Sequence, residues 1–424
     1  MTAEASRAPR ALWHGRTLAL VGIVLVALNL RTAVGALSPI FDQIAVDVSL
    51  GSIGIGLLGT LPPVSFAVVG LFAPALHRRF GLEPVVVVAL AVILAGHLVR
   101  ASSGSYLALV LGSAFAFAGM GVANVLLPPL VKKYFPDRIG LVTSLYATIM
   151  AIGATIPPLV AVQLADSAGW RVSVGVWSLF AVLALIPMVT LWTRMRGART
   201  RAAAGPVHEA GADSPMADTI EHVEHVEHVG RIARSPLAWS LMLVFGLTAL
   251  NAYAMFAWLP EILLDTTTVS PAEAGALLSL FSVMGLPASL LVPILAVRMR
   301  SVGPVIGVGV ACYLLGYLGL LLVPGAAPWL WVALVGLGPL LFPLSLVLIN
   351  LRTRSHAGSV ALSSFVQSFG YGLGALGPLF VGVLHQATGS WMTPLVFLAA
   401  TGLAVIPCGI VVSRGRMLED EWHN

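Results

Sequence analysis

Apolar stretches long enough to cross a bilayer recur along the whole chain, and this feature settles most of what the chain can fold into. Twelve runs carry it, at about 17–41, 52–76, 84–101, 106–131, 139–165, 171–192, 237–263, 272–297, 303–323, 328–350, 358–386 and 391–413. A helix rises about 1.5 Å per residue, so runs of this length match the roughly 30 Å hydrocarbon core. Only 10% of the 424 residues are charged, and mean hydropathy is +0.95. A soluble chain carries about 25% charged residues. This one has too few to cover a watery surface, and lipid must be its main solvent. Backbone polar groups in lipid must be satisfied within the chain, which runs of this length achieve as helices. The sequence predicts an all-α integral membrane protein with twelve transmembrane helices.

The basic residues orient it. With the N-terminus in the cytoplasm, the inside segments hold 20 of the 23 Lys plus Arg, from Arg7, Arg10 and Arg16 to Arg414 and Arg416. Arg100 and Arg171 fall outside, and Arg31 lies within the first run. The positive-inside bias predicts a multi-pass protein of a bacterial-type cytoplasmic (inner) membrane with both termini cytoplasmic. The net charge of +5 comes from these loops and suits an anionic leaflet; it gives no reason to expect nucleic-acid binding. The first run is too long for a cleavable signal peptide. Cys312 and Cys408, in the ninth and twelfth runs, read as free thiols.

The runs divide six and six, giving an N-terminal half at 1–192, a cytoplasmic linker at 193–235 and a C-terminal half at 236–424. The linker carries Gly205-Pro206, Ser214-Pro215 and a Glu-His-Val repeat over 221–229, which reads as a solvated low-complexity loop. The halves match at an offset near 220. Leu28-Asn29 pairs with Leu250-Asn251, Ser38-Pro39-Ile40 with Leu259-Pro260-Glu261, Gly169-Trp170 with Ser390-Trp391, and Ile186-Pro187 with Ile406-Pro407. Two pseudo-symmetric six-helix bundles of this kind imply a secondary transporter, its site between the halves near the midplane.

This is the pattern of the major facilitator superfamily. Local motifs go further. Asn29-Leu30-Arg31, Asn124 to Pro128, Lys132 to Phe135-Pro136, Tyr146 and Gly169-Trp170-Arg171 resemble the cyanate/2-nitroimidazole (CynX/NimT-like) transporter family. So do Trp258-Leu259-Pro260 through Asp265, Ala274-Gly275, Gln367 through Gly370-Tyr371, Gly377-Pro378 and Gly389-Ser390-Trp391. The resemblance runs from about Asn29 to Trp391 and implies transport of a cyanate-like or nitroimidazole-like solute. Two departures stand out. Pro74 and Arg78 replace the Gly and Asp of the superfamily's loop between helices 2 and 3, which leaves Asp137 with Arg78 and Arg79 as a possible cytoplasmic lock. The helix 5 antiporter motif ending Gly-Pro gives way to Gly153 through Pro157-Pro158.

Arg31 is the lone cation well inside an apolar run. A guanidinium keeps its proton, and a charge at membrane depth costs about 2.5–3.5 kcal/mol on insertion scales. The sequence offers no nearby buried carboxylate. Arg31 therefore reads either as a group snorkelling to the outer interface or as the binder of an anionic or strongly hydrogen-bonding solute. Tyr253, its repeat mate, is placed to donate a hydroxyl to the same solute. Asn29 is about 200° around the helix from Arg31, so Asn29 and Asn251 read as solute ligands or as interhelical hydrogen-bonders. Gln367 and Tyr371 share one face of helix 11, extended by Ser364 and Ser368. Asn124 and Tyr146 are further candidates. Phe256 and Trp258 read as walls of an apolar pocket, with Trp258 read first as part of the outer aromatic belt.

The expected mechanism is alternating access by a chain that is a monomer with no cofactor and no bound metal. A single buried cation suits a small anion or a polar planar solute, and does not choose between them. Asp42, Asp47, Asp166, Glu261, Asp265, Glu273, His97 and His385 all fall at or outside outer helix ends, so coupling reads as facilitated diffusion, or as proton movement with the solute or an outer-end group. Two other classes are a multidrug-type exporter of lipophilic compounds, whose activity would survive loss of Arg31, and a non-transporting membrane sensor. No nucleophile–base pair, metal cluster or paired carboxylates occur at membrane depth, which argues against an enzyme.

Overall fold

The computed structural model describes residues 16–203, 232–354 and 356–422. The Glu-His-Val repeat and most of the linker lie outside the described residues. The described chain is helical throughout. Spans 2 to 5 are single helices, Ser52–Phe80, Leu82–Ala101, Tyr106–Tyr134 and Ile139–Ala168. Span 6 joins Trp170–Gly175 to Ser178–Ala203, the latter running into the stretch assigned to the linker. Span 7 is Pro236–Thr266, and span 8 joins Pro271–Val283 to Gly285–Arg298. Span 9 is Gly303–Leu322, span 10 runs from Pro328–Leu337 to Leu341–Leu351, span 11 is His356–Thr388, and span 12 joins Met392–Leu403 to Val405–Ser413.

Span 1 departs from expectation. Its α-helix covers Thr17–Asn29, about 20 Å, and then stops. Residues 30–37 form turns, followed by a 3-10 turn at Ser38–Ile40 and a short helix at Phe41–Ala45. Eleven other spans are long and apolar enough to cross a membrane as helices. Pro39 explains part of the break, since it has no N–H and its ring crowds the carbonyl of Gly35. Gly35 adds its weak helix propensity. The unwound stretch is packed inside protein, with Leu30, Thr32, Ala33 and Ala36 all buried. Irregular backbone at membrane depth is tolerated only in such a place.

The repeat is legible in hydrogen bonds. Asn29 Nδ2 donates to Leu25 O (2.8 Å) and across to Phe180 O in span 6 (3.0 Å). Asn251 Nδ2 donates to Leu247 O (2.9 Å) and across to Thr401 Oγ1 in span 12 (3.0 Å), while Tyr317 OH donates to Asn251 Oδ1 (2.8 Å). Each amide thus ties the first helix of its half to the last.

The tryptophans repeat the pattern. Trp170 Nε1 donates to Asp47 Oδ2 (2.9 Å), and Trp391 Nε1 to Asp265 Oδ2 (2.8 Å). Gly169 and Gly389 precede them at φ 88° and 61°, left-handed values that favour glycine at the turn. The Trp170 indole and then the Arg171 guanidinium hold the Asp47 carboxyl below the usual carboxylate range. A carboxyl depressed in the folded state stabilises above its unfolded value, about pH 4, and loses that contribution as pH falls through the folded value. Asp47→Asn is accordingly expected to lower the melting temperature at pH 7, and the gap from wild type should close as acidification carries the pH through the depressed folded value. A gap that stays constant with pH would refute this linkage.

The face carrying the basic loops has its own ties. Asp137 accepts from Arg16 Nη1 (2.6 Å) and Nη2 (3.1 Å) and lies 3.8 Å from Arg138 Nε, all within the first half. Arg79 lies over the Phe80 ring, and the side chain of Arg78 lies outside the described residues. Buried Glu83 pairs with Lys133 and accepts from Tyr134 OH.

On the opposite face the two halves close on each other through small residues. A Cβ on Gly56 would meet Pro378 O at 2.8 Å, one on Gly59 would meet Ala257 Cβ at 2.6 Å, and one on Gly275 would meet Pro158 O at 2.5 Å. Ser279 Oγ in span 8 donates to Thr155 O in span 5 (2.8 Å). This seal lies between the midplane and the face away from the basic loops.

Candidate functional site

The break in span 1 sets the site. Arg31 follows the last helical residues and is only half-buried, at the seam between the halves. The tyrosines of spans 7 and 11, Tyr253 and Tyr371, lie within electrostatic reach of its guanidinium, and both are buried. Phe66 of span 2 presents its ring 5.3 Å from the guanidinium carbon. Such a cation–π contact contributes about 0.5–2 kcal/mol. The Phe66 and Tyr371 rings meet edge-on at 6.2 Å, and Phe245 meets Tyr371 edge-on at 5.1 Å, fixing that tyrosine between two aromatic rings. Among the described residues Arg31 forms no ion pair. One cation is therefore framed by two hydroxyls and an aromatic face, drawn from both halves.

Span 11 carries Gln367 one turn from Tyr371. Its Nε2 donates to Ser363 Oγ (2.7 Å) and the residue is half-buried. Phe256, one turn from Tyr253 on span 7, packs edge-on against Phe281 at 5.3 Å. Tyr253 and Phe256 also line a cavity of about 20 Å³ beneath the seal, with Ala33, Ser38 and Phe117. Asn124 on span 4 and Tyr146 on span 5 are half-buried, and no described contact joins either to Arg31. Asn29 and Asn251 are fully buried in the interhelical bonds described above.

Three placements differ from the sequence reading. Trp258 is no belt residue: it is fully buried, and its Nε1 donates to Pro378 O (2.9 Å). Arg100 and His97 stand at the outer end of span 3, as read, but both are fully buried in protein. Phe66 was not singled out, because nothing in the sequence separates it from the other phenylalanines of its helix. Among the described residues Glu261, Asp265 and His385 also bring ligand atoms within 4.8 Å of one another, at the sealed face.

Two six-helix bundles around a central cation, with a broken helix beside it, define a secondary transporter. The comparisons with known proteins agree. Residues 20–375 match the family model of the Major Facilitator Superfamily. The chain is 33% identical to an uncharacterized transporter, YycB, of Bacillus subtilis (strain 168), over 94% of each chain. It is 31% identical to the 2-nitroimidazole transporter of Escherichia coli (strain K12), over 95% of this chain and 96% of that one. It is 26% identical to the cyanate transport protein CynX of the same strain, over 91% and 95%. The fold is similar to a bacterial homologue of the human lysosomal transporter Spinster in an inward-facing, occupied conformation, with TM-score 0.74, 15% identity and coverage of 97% and 99%. The chain belongs to the Major Facilitator Superfamily, and within it to the group that includes the cyanate and 2-nitroimidazole transporters.

Proposed function

We propose that this transporter moves a small anion or small polar planar solute, cyanate-like or nitroimidazole-like, across a bacterial inner membrane, with Arg31 binding the solute. The observation that carries the reading is the placement of Arg31: at the break in span 1, without an ion pair among the described residues, and faced by Tyr253, Tyr371 and Phe66. The guanidinium supplies fork-like donors for an anion or a nitro group. Two tyrosine hydroxyls add donors, and the Phe66 ring suits a flat solute. The names of two relatives point to the same pair of solute types.

Both termini lie in the cytoplasm in this reading, because the basic loops cluster on that side. The described conformation is then sealed toward the outside. Alternating access follows by rocking one half on the other about Arg31. Tyr253 and Tyr371 belong to the C-terminal half and Arg31 to the N-terminal half, so a solute held by all three couples the halves. Gln367, Phe256, Asn124 and Tyr146 are proposed as outer contacts of the same site, while Asn29 and Asn251 position its helices.

A thermal-shift screen tests the binding role. Cyanate and 2-nitroimidazole are added to purified protein, wild type beside Arg31→Ala. A ligand at about 100 times its Kd stabilises the protein it binds by about 2.7 kcal/mol. Wild type is expected to rise in melting temperature with at least one of the two, and Arg31→Ala with neither. Equal stabilisation of both proteins would refute Arg31 as the binding residue.

A further inference from the structure

Arg100 is a second buried cation, at the outer end of span 3, and the proposed site makes no use of it. It lies on the last turn of span 3 and is fully buried. Its Nε and Nη1 have no hydrogen-bond partner, and Nη2 makes one long bond, 3.4 Å to Ala33 O. Its guanidinium carbon is 5.8 Å from the centre of the Phe117 ring. Among the described residues it forms no ion pair. A guanidinium has five N–H donors and cannot shed its charge. A charge left unpaired in the interior is strongly destabilising. Span 3 carries it nonetheless.

Ala33 and Phe117, which the Arg100 guanidinium meets, both line the 20 Å³ cavity beneath the seal. Ser38 lines it as well, and its buried Oγ has no partner. An unpaired hydroxyl of span 1 thus opens on one small void, and the unpaired guanidinium of span 3 stands behind its wall, against Ala33 and Phe117. The void has room for about one water. Its far wall is Tyr253, Phe256 and Ala257, which belong to the other half. When the halves part on this face, that wall withdraws and the void opens outward.

We propose that Arg100, with Ser38, forms a second anion-binding station on the sealed side of Arg31, occupied by a small monovalent anion when the seal opens. The inference rests on the reading that Arg31 binds the solute. The two cations bracket one unwound stretch: Arg31 opens it, and Arg100 holds the Ala33 carbonyl within it. An anion passed from one guanidinium to the other is not left unpaired in the apolar interior.

The test is the sidedness of cyanate flux in reconstituted full-length protein. Arg100→Gln is expected to raise KM about tenfold for cyanate arriving from the sealed face, and to leave KM from the basic face within about twofold. Arg100→Lys keeps the charge and should restore most of the loss. Arg31→Gln should raise KM from both faces. A merely structural role for Arg100 would move both directions together, and that outcome, or an unchanged KM, overturns the proposal. Should Arg100→Gln fail to fold, Ser38→Ala takes its place. A rise of about threefold from the sealed face alone is then expected, and no change overturns the proposal. Arg31→Gln with both KM values intact sinks the Arg31 reading, and the one-sided effect of Arg100→Gln is still scored by itself.

Discussion

Arg31→Gln is expected to abolish transport, lowering cyanate or 2-nitroimidazole uptake about 100-fold or more while the protein folds normally. Hydrogen bonds to a charged group contribute about 1.5–3 kcal/mol. Losing a forked pair of them reaches about 3 kcal/mol, or roughly two decades in an affinity. Folding should be spared because Arg31 forms no ion pair among the described residues that glutamine would orphan, and its main described contact is the Phe66 ring. Arg31→Lys separates charge from geometry. Lysine keeps a point charge but loses the planar fork, so a rate between wild type and Arg31→Gln is expected. Uptake in proteoliposomes beside a melting curve decides the matter. Wild-type flux in Arg31→Gln would refute the role, and so would a loss of flux matched by a collapse in stability.

The second large effect is expected at the seal. Gly59→Val should cut flux about tenfold or more without unfolding either half. A Cβ at Gly59 would sit 2.6 Å from Ala257 Cβ and 2.8 Å from Pro378 Cβ, both in the opposite half. Overpacking costs about 1–3 kcal/mol, and here it falls only on the state in which the halves are closed. An equilibrium between two states shifts by that difference, about 5- to 150-fold. Leu58 lines the void beneath the seal and is 3% exposed. A cysteine at Leu58, with Cys312 and Cys408 replaced by serine, should become reactive to an impermeant thiol reagent from the sealed face when Gly59→Val is added. Unchanged flux together with unchanged labelling would show that the seal does not take part in the cycle.

Much of this architecture was readable residue by residue. Hydropathy measures the solvent a segment needs, so twelve spans emerge from composition alone. The repeat at an offset near 220 is a statement about three-dimensional equivalence, and it paired Arg31 with Tyr253 and Asn29 with Asn251 before any coordinates. Arg31 drew attention because a charge in lipid is costly. Arg100 escaped because it lies at a helix end, where the sequence cannot distinguish a buried guanidinium from one that reaches water. Phe66 escaped because an aromatic ring in an apolar helix gives the same signal toward lipid as toward a cation. Trp258 was assigned to the membrane interface for the same reason: depth is legible in the sequence, and facing direction is not.

The broken first span marks the boundary most clearly. The sequence by itself determined that spans 1 and 7 are equivalent, and that Pro39 and Pro260 occupy matching places. It did not determine that one breaks and the other does not. Span 7 runs unbroken from Pro236 to Thr266 through Pro260, whereas span 1 unwinds before Pro39. The carbonyl facing each proline belongs to Gly35 in one case and Phe256 in the other. Span 5 packs on this stretch through the Pro158 ring, 3.4 Å from where a Cβ of Gly35 would sit, and the packed neighbours shelter the unwound backbone. Phe256 instead keeps its helical turn and packs on Phe281. Local propensity made the break affordable; only the helices packed around it made it stable, and with it the place where Arg31 meets the two tyrosines.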